Sequence, residues 1–221
     1  MRAQMLLLLA ATTLLAMSAS AAATPPPRHT SCTQPLVGGA NVSFWTSATF
    51  SAGNPAILLG MGTAPAGHVP DTLLLSISAN GSCVWQQTAA ALTDPRTSGC
   101  AVSIGPSRIM FAGGHNNSAN YVGTIDIFSL DTATGEVSRE ASSIQLPVGR
   151  ELVGCAAVGD VVLIAGGKPP HPPAPIGETK EIDIWHKDSG EFSGAKLSVE
   201  RKKVEAVTVR MRWLNRPSCC F

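Results

Sequence analysis

One tyrosine, Tyr121, stands in the whole chain of 221 residues, and aromatic residues make up 5% of it. A catalytic centre built on two phenols therefore cannot be assembled from this sequence. Charge is scarce as well, with 16 basic residues against 15 acidic ones. That balance offers no basic field to hold nucleic acid and no acidic tail. The short signatures of hydrolytic and phosphate chemistry are missing: there is no G-x-S-x-G elbow, no H-E-x-x-H pair and no phosphate-cradling glycine loop. The one long apolar run, MLLLLAATTLLAM at 5–17, lies near the start. Later apolar runs are four to six residues long, too short to cross a bilayer.

What the chain does have is a repeat. SGCAVSIGPSRIMFAGG at 98–114 returns as LVGCAAVGDVVLIAGG at 152–167. Each copy has a small-residue strand, a short turn, a strand of β-branched and bulky apolar residues, and a glycine doublet. A fainter copy, PAILLGMG, ends at Gly62, so that Gly60, Gly113 and Gly166 recur at a spacing of 53 residues. The rest of the unit keeps step. A third strand is predicted at 71–78, 123–131 and 180–188, then a turn rich in Asn, Asp and Gly, then a fourth strand at 83–89, 136–142 and 191–197. Alternation in this third strand places Ile125 and Ile127, and Ile182 and Ile184, on one face, with Asp126 and Asp183 on the other. Each unit closes with Leu then Arg: Leu92 to Arg96, Leu146 to Arg150, Leu197 to Arg201. Four short strands per ~50 residues is the pattern of one propeller blade.

The glycine doublet, the D-x-x-T-G turn at 131–135 and the spaced arginines resemble the kelch repeat family, which also occurs in galactose-oxidase-like propellers. The resemblance covers about residues 45–209. It implies an all-β fold, a kelch-type β-propeller fragment of about three four-stranded blades, at about 45–95, 96–149 and 150–200. A fourth blade starts at 201–209. Kelch blades usually close the third turn with Trp; here Trp85, Val137 and Phe192 hold that place. From Arg210 to Phe221 the pattern is lost. This divergent tail reads as a truncated, misjoined or spliced form of a longer propeller. Open blade edges at both ends, with Ile57, Leu58, Ile182 and Ile184 left wet, would favour self-association.

Residues 1–23 read as a secretory signal: a charged start at Arg2, the apolar run, and small residues before a cleavage after Ala21 or Ala23. Its removal takes away Arg2 and no acid, leaving 15 basic and 15 acidic residues. The mature chain is thus expected to be secreted, with no membrane span. Residues 24–44 form a Pro-rich linker, and KPPHPPAPIGE at 168–178 a stiff, solvated loop between the second and third strands of the third repeat. Sequons at Asn41, Asn80 and Asn116 fall in turns or loops and are candidate glycosylation sites. The six cysteines fit an oxidising compartment. Cys100 and Cys155 hold the same place in successive first strands and read as small buried side chains. A bridge from Cys32 to Cys83 would tie the linker to the first repeat, although spacing alone does not fix connectivity.

In a four-stranded blade the loops between the second and third strands emerge on the same face as the blade-to-blade connections. His68, His115 and His171 all fall in such loops, at unequal offsets from the glycines, so no metal site is expected. Arg96, Arg150 and Arg201 are more regular, one at each entry to a first strand. The resemblance implies that such arginines ring the channel mouth, where several kelch propellers hold acidic peptides. A guanidinium fork suits that task, although it also suits capping of backbone carbonyls. Copper enzymes of the galactose-oxidase type need two Tyr, which this chain lacks. Sialidase-like propellers carry Ser-x-Asp-x-Gly turns, and Ser78-Ala79-Asn80-Gly81 has its glycine one place early. No catalytic residue and no cofactor is expected. The reading is a secreted, non-catalytic module that binds a protein or glycan through Arg96, Arg150 and Arg201. The alternative is a fragment of a galactose-oxidase-like or other carbohydrate-active enzyme whose catalytic residues lie in missing blades.

Overall fold

The computed structural model describes residues 42–78, 80–141, 143–170 and 177–206. The expected signal, the start of the expected linker, Asn41, Cys32, His171 and the tail lie outside the described residues. In chain order the strands are β1 (Ser43–Phe50), β2 (Ala56–Ala64), β3 (Gly67–Val69), β4 (Leu73–Ile77), β5 (Cys83–Gln87), β6 (Arg96–Thr97), β7 (Cys100–Gly105), β8 (Arg108–Ala112), β9 (His115–Asn116), β10 (Ile125–Leu130), β11 (Val137–Arg139), β12 (Gly154–Val158), β13 (Val161–Ala165), β14 (Thr179–His186) and β15 (Phe192–Arg201). No helix occurs among the described residues. Three antiparallel sheets result, ordered β1-β2-β4-β5, β7-β8-β10-β11 and β12-β13-β14-β15, with β3 added to β2 and a small β6-β9 pair apart. The protein is all-β, and each repeat is one four-stranded meander.

Local chemistry turns each strand into the next. The Asp131 carboxylate accepts the Ala133 N–H at 2.8 Å, and the Gly135 N–H returns to the Asp131 carbonyl at 2.8 Å. This side-chain turn joins β10 to β11, with Gly135 at a φ of 75° that few other residues adopt. Of the three predicted closing positions, Trp85 pairs with Leu75 and Phe192 with Trp185, whereas Val137 pairs with Leu130, two residues beyond Phe128, the counterpart of Trp185. Val137 is buried in the core between the first and second sheets.

The sheets stack face to face, with the second in the middle. Ile109, Phe111 and Phe128 on one of its faces pack against Phe50, Leu58, Met61 and Leu74 of the first sheet. Val102, Met110, Ile125 and Ile127 on the other meet Val153, Cys155, Val162, Ile164 and Trp185 of the third. Strand alternation therefore serves two cores at once, and both faces of β10 are buried. The phenyl rings of Phe111 and Phe128 stand edge to face at 5.5 Å. Gly60 admits Phe111, because a Cβ there would fall 2.7 Å from its ring. Leu58, expected at an open end, is buried against the second sheet instead. Ile182 and Ile184 are half-buried on the far face of the third.

The repeats are also linked through their backbones. The Gly114 N–H donates to the Arg150 carbonyl at 2.9 Å, and the Gly167 N–H to the Arg201 carbonyl at 2.8 Å. The Leu152 N–H donates to Ser98 O at 2.6 Å, and the Lys203 N–H to Leu152 O at 2.9 Å. Ser98, Leu152 and Lys203 share a left-handed backbone, φ 61°, 57° and 52°, and the first two stand just before β7 and β12. That conformation costs about 1–2 kcal/mol per non-glycine residue, so its recurrence marks a geometry the stacking enforces. The second glycine of each doublet is needed for close approach: a Cβ on Gly167 would lie 2.6 Å from Glu151 O.

A correction concerns cysteine. Cys100 on β7 and Cys155 on β12 form a disulfide, with Cα atoms 5.9 Å apart. Stacking two first strands side by side brings the two cysteines within bridging distance, although by register Cys155 stands one residue beyond Gly154, the counterpart of Cys100. Cys83 is disulfide-bonded as well; Cys32, the partner expected for it, lies outside the described residues.

Candidate functional site

The connections between sheets and the chain following each glycine doublet meet on one face. In the second repeat they pair as β6 with β9, Arg96 opposite Asn116 and Thr97 opposite His115. In the third, Glu151 pairs with Lys168 in the same way. The topological expectation for these loops is met, and it decides where the arginines go.

Arg96 has no exposed surface, and its guanidinium lies 2.7 Å from the Asp126 carboxylate of β10. Burial lowers its pKa, while the charge and hydrogen bonding of Asp126 raise it, opposing the burial. Asp126 also accepts from the Thr93 N–H and hydroxyl and stands 3.4 Å from Arg139 Nη1. Arg150 repeats the arrangement one sheet on. Its Nε donates to Gly166 O at 2.8 Å, its Nη2 to Ile164 O at 3.1 Å and its Nη1 to Val148 O at 3.2 Å. Nη1 also stands 2.7 Å from Asp183 Oδ2 of β14, an ion pair set outside hydrogen-bonding angles.

The expectation of an arginine rim open to a ligand is therefore corrected for Arg96 and Arg150. Every fork is committed inward, and each guanidinium fastens a connection to the sheet that follows it. The Ile-Asp-Ile alternation carried this signal, since it places Asp126 and Asp183 on the faces that meet the two arginines. Arg201 keeps the backbone link of Arg150, but its side chain is exposed and joins neither of the others.

What the loop face does present is a chain of polar side chains drawn from all three repeats. His68 of β3 and His115 of β9 meet edge to face, ring centroids 5.1 Å apart. Asn117 clamps the His68 backbone, accepting its N–H at 2.7 Å and donating to its carbonyl at 3.2 Å. Glu151 Oε2 stands 2.6 Å from His115 Nδ1, and Lys168 Nζ stands 3.7 Å from the other Glu151 oxygen. His68 and His115, singled out as isolated loop residues, thus come together; His171 lies outside the described residues. Asn117, Glu151 and Lys168 were missed. Their signal was positional: Lys168 follows its glycine doublet as His115 does, and Glu151 follows its arginine as Thr97 does. Among the described residues no group of three or more His, Cys, Asp and Glu is arranged to hold a metal.

Beside this face lies an open cleft of about 590 Å³, lined by the first strands and their entries, including Thr46, Ser47, Ala101, Gly154 and Lys203. The Cys100–Cys155 disulfide forms part of its wall. The sequon asparagines differ in setting. Asn80 is exposed at the turn from β4 to β5, its Oδ1 accepting the Ser82 N–H at 2.9 Å. Asn116 is half-buried in β9, its Oδ1 accepting the Ser118 and Asn120 N–H groups at 3.0 Å each. No protein-family model matches the chain, and no curated protein matches it significantly.

Proposed function

We propose that the chain is a secreted, non-catalytic binding module of kelch type, its three sheets consecutive blades of a β-propeller, and that its loop face holds a protein or a glycan. One observation carries this reading: equivalent connections of successive repeats deliver Asn117, His115, Glu151 and Lys168 to one surface while Arg96 and Arg150 are locked beneath it. Locked arginines give that surface a fixed backbone, and the groups above, Asn117 exposed and the others partly so, supply amide, imidazole, carboxylate and ammonium partners. Such a mix suits hydroxyl-rich or polar peptide ligands better than a purely anionic one. Asn80, exposed in its turn, is the glycosylation site this reading favours.

The test is binding of the secreted chain to glycan and peptide arrays. The double variant Asn117→Ala with Lys168→Ala should weaken binding of any hit by about tenfold or more, the loss expected for two interface hydrogen-bonding groups. Thr132→Ala, in an exposed turn on the opposite face, should leave it unchanged. Hits that respond to Thr132 and not to the loop-face pair would overturn the proposal.

A further inference from the structure

We propose that the contact between His68 and His115 is a proton-operated latch, closed at neutral pH, which joins the loop ends of the first and second sheets and releases them on acidification. The latch is independent of what the loop face binds. It is made where β3, a three-residue strand hanging on β2 through Gly62–Val69, Thr63–His68 and Ala64–Gly67, leans across to the second sheet. On its own side His68 Nδ1 meets only the Thr63 hydroxyl, at 3.2 Å. Beyond that short ladder, its contacts come from the neighbouring repeat: the His115 ring and both arms of the Asn117 carboxamide. Gly67 is pressed there too, at φ 125°, since a Cβ would stand 2.7 Å from Asn117 Oδ1. The hairpin tip is thus docked by one ring contact and one amide clamp, and little apolar burial secures it: Gly67, His68 and Val69 are all only half-buried.

Among the described residues, few charged groups face the contact. The first sheet contributes His68 itself, the second His115, and the third Glu151 and Lys168. Arg96, next to them on β6, is already answered by Asp126. A proton on His68 places positive charge against His115 and, beyond it, Lys168, with Glu151, among the described residues, as the carboxylate that answers them. The physical direction agrees: burial first, and then the charge of His115, hold the His68 imidazole below its ordinary value of 6.5. A histidine with a depressed pKa favours the docked state above that ordinary value. The preference fades as pH falls through the lowered one.

The test follows His68 in the full chain by NMR and amide hydrogen exchange. Between about pH 7.5 and pH 5.0, the His68 N–H should lose protection as the ring takes up its proton. The Ile109 and Phe111 amides, in the core of the second sheet, should keep theirs. His115→Gln should move the His68 titration midpoint upward and shrink the loss. His68→Gln should make the protection of residue 68 insensitive to pH over this range. Three results would overturn the latch: His68 protection unchanged while its ring titrates, loss shared equally by Ile109 and Phe111, or acid release persisting in the His68→Gln variant.

Discussion

Replacing Cys100 and Cys155 together by alanine cuts a covalent tie between two sheets whose first strands share no backbone ladder. The bond joins residues 55 apart in sequence. Closing a loop of that length removes about 4 kcal/mol worth of entropy from the unfolded chain. Two alanines in place of the bridge leave little apolar contact behind, because the surrounding strand residues are small. For a domain of this size each kcal/mol moves Tm by about 2–4 °C, so the expected fall is about 8–16 °C. Calorimetry of the oxidised wild type against the double variant measures it. Dithiothreitol also opens the Cys83 disulfide, so the reductant-induced loss should shrink in the variant rather than vanish. Hydrogen exchange should show the extra opening in β7 and β12 first. Equal melting of wild type and variant without reductant would refute the argument and return both cysteines to the role of simple packing residues.

Arg150→Ala should cost about 3–5 kcal/mol, the penalty for leaving a buried carboxylate such as Asp183 unpaired, whereas Arg201→Ala should stay within about 0.5 kcal/mol; urea denaturation of the two variants distinguishes a fastening arginine from an exposed one. Glu140 accepts two bonds from Arg108, at 2.8 and 2.6 Å, and its pKa is lowered chiefly by that contact. Its contribution should therefore be fully present above the ordinary carboxylate value of 4.5 and lost as pH falls through the lowered one. With both side chains about a third exposed, solvent screening limits the effect to roughly 0.5 kcal/mol, read as the difference in acid denaturation between wild type and Glu140→Gln.

The repeat unit was legible in the residues because its parts act locally. Period-two alternation in Ile125–Asp126–Ile127, a side-chain turn at Asp131 and glycines at a fixed interval each need only a few neighbouring residues to take effect. Strands observed at 73–77, 125–130 and 179–186 accordingly fall close to the segments expected at 71–78, 123–131 and 180–188. The arginines were legible as a series but not as a role. A guanidinium at the entry to a strand reads the same whether its fork points outward to a carboxylate ligand or inward to Asp126. Only the stacking of the sheets settles that choice, by burying Arg96 beside a carboxylate from β10.

The same division runs through the cysteines and histidines. Sequence alone placed Cys100 and Cys155 on successive first strands, and His68 and His115 after comparable strands. Whether equivalent places are adjacent in space depends on how consecutive sheets pack, and that is set by the interlocking of side chains such as Phe111 over Gly60, dozens of residues apart. Lateral packing brought the two sulfurs together, set Glu151 against His115 and laid His68 under Asn117. Composition and periodicity determined an all-β chain of repeated four-stranded units; tertiary structure decided which polar groups those units bury and which they leave exposed. The reason is that burial is a property of neighbouring sheets, and no short stretch of sequence contains its neighbour.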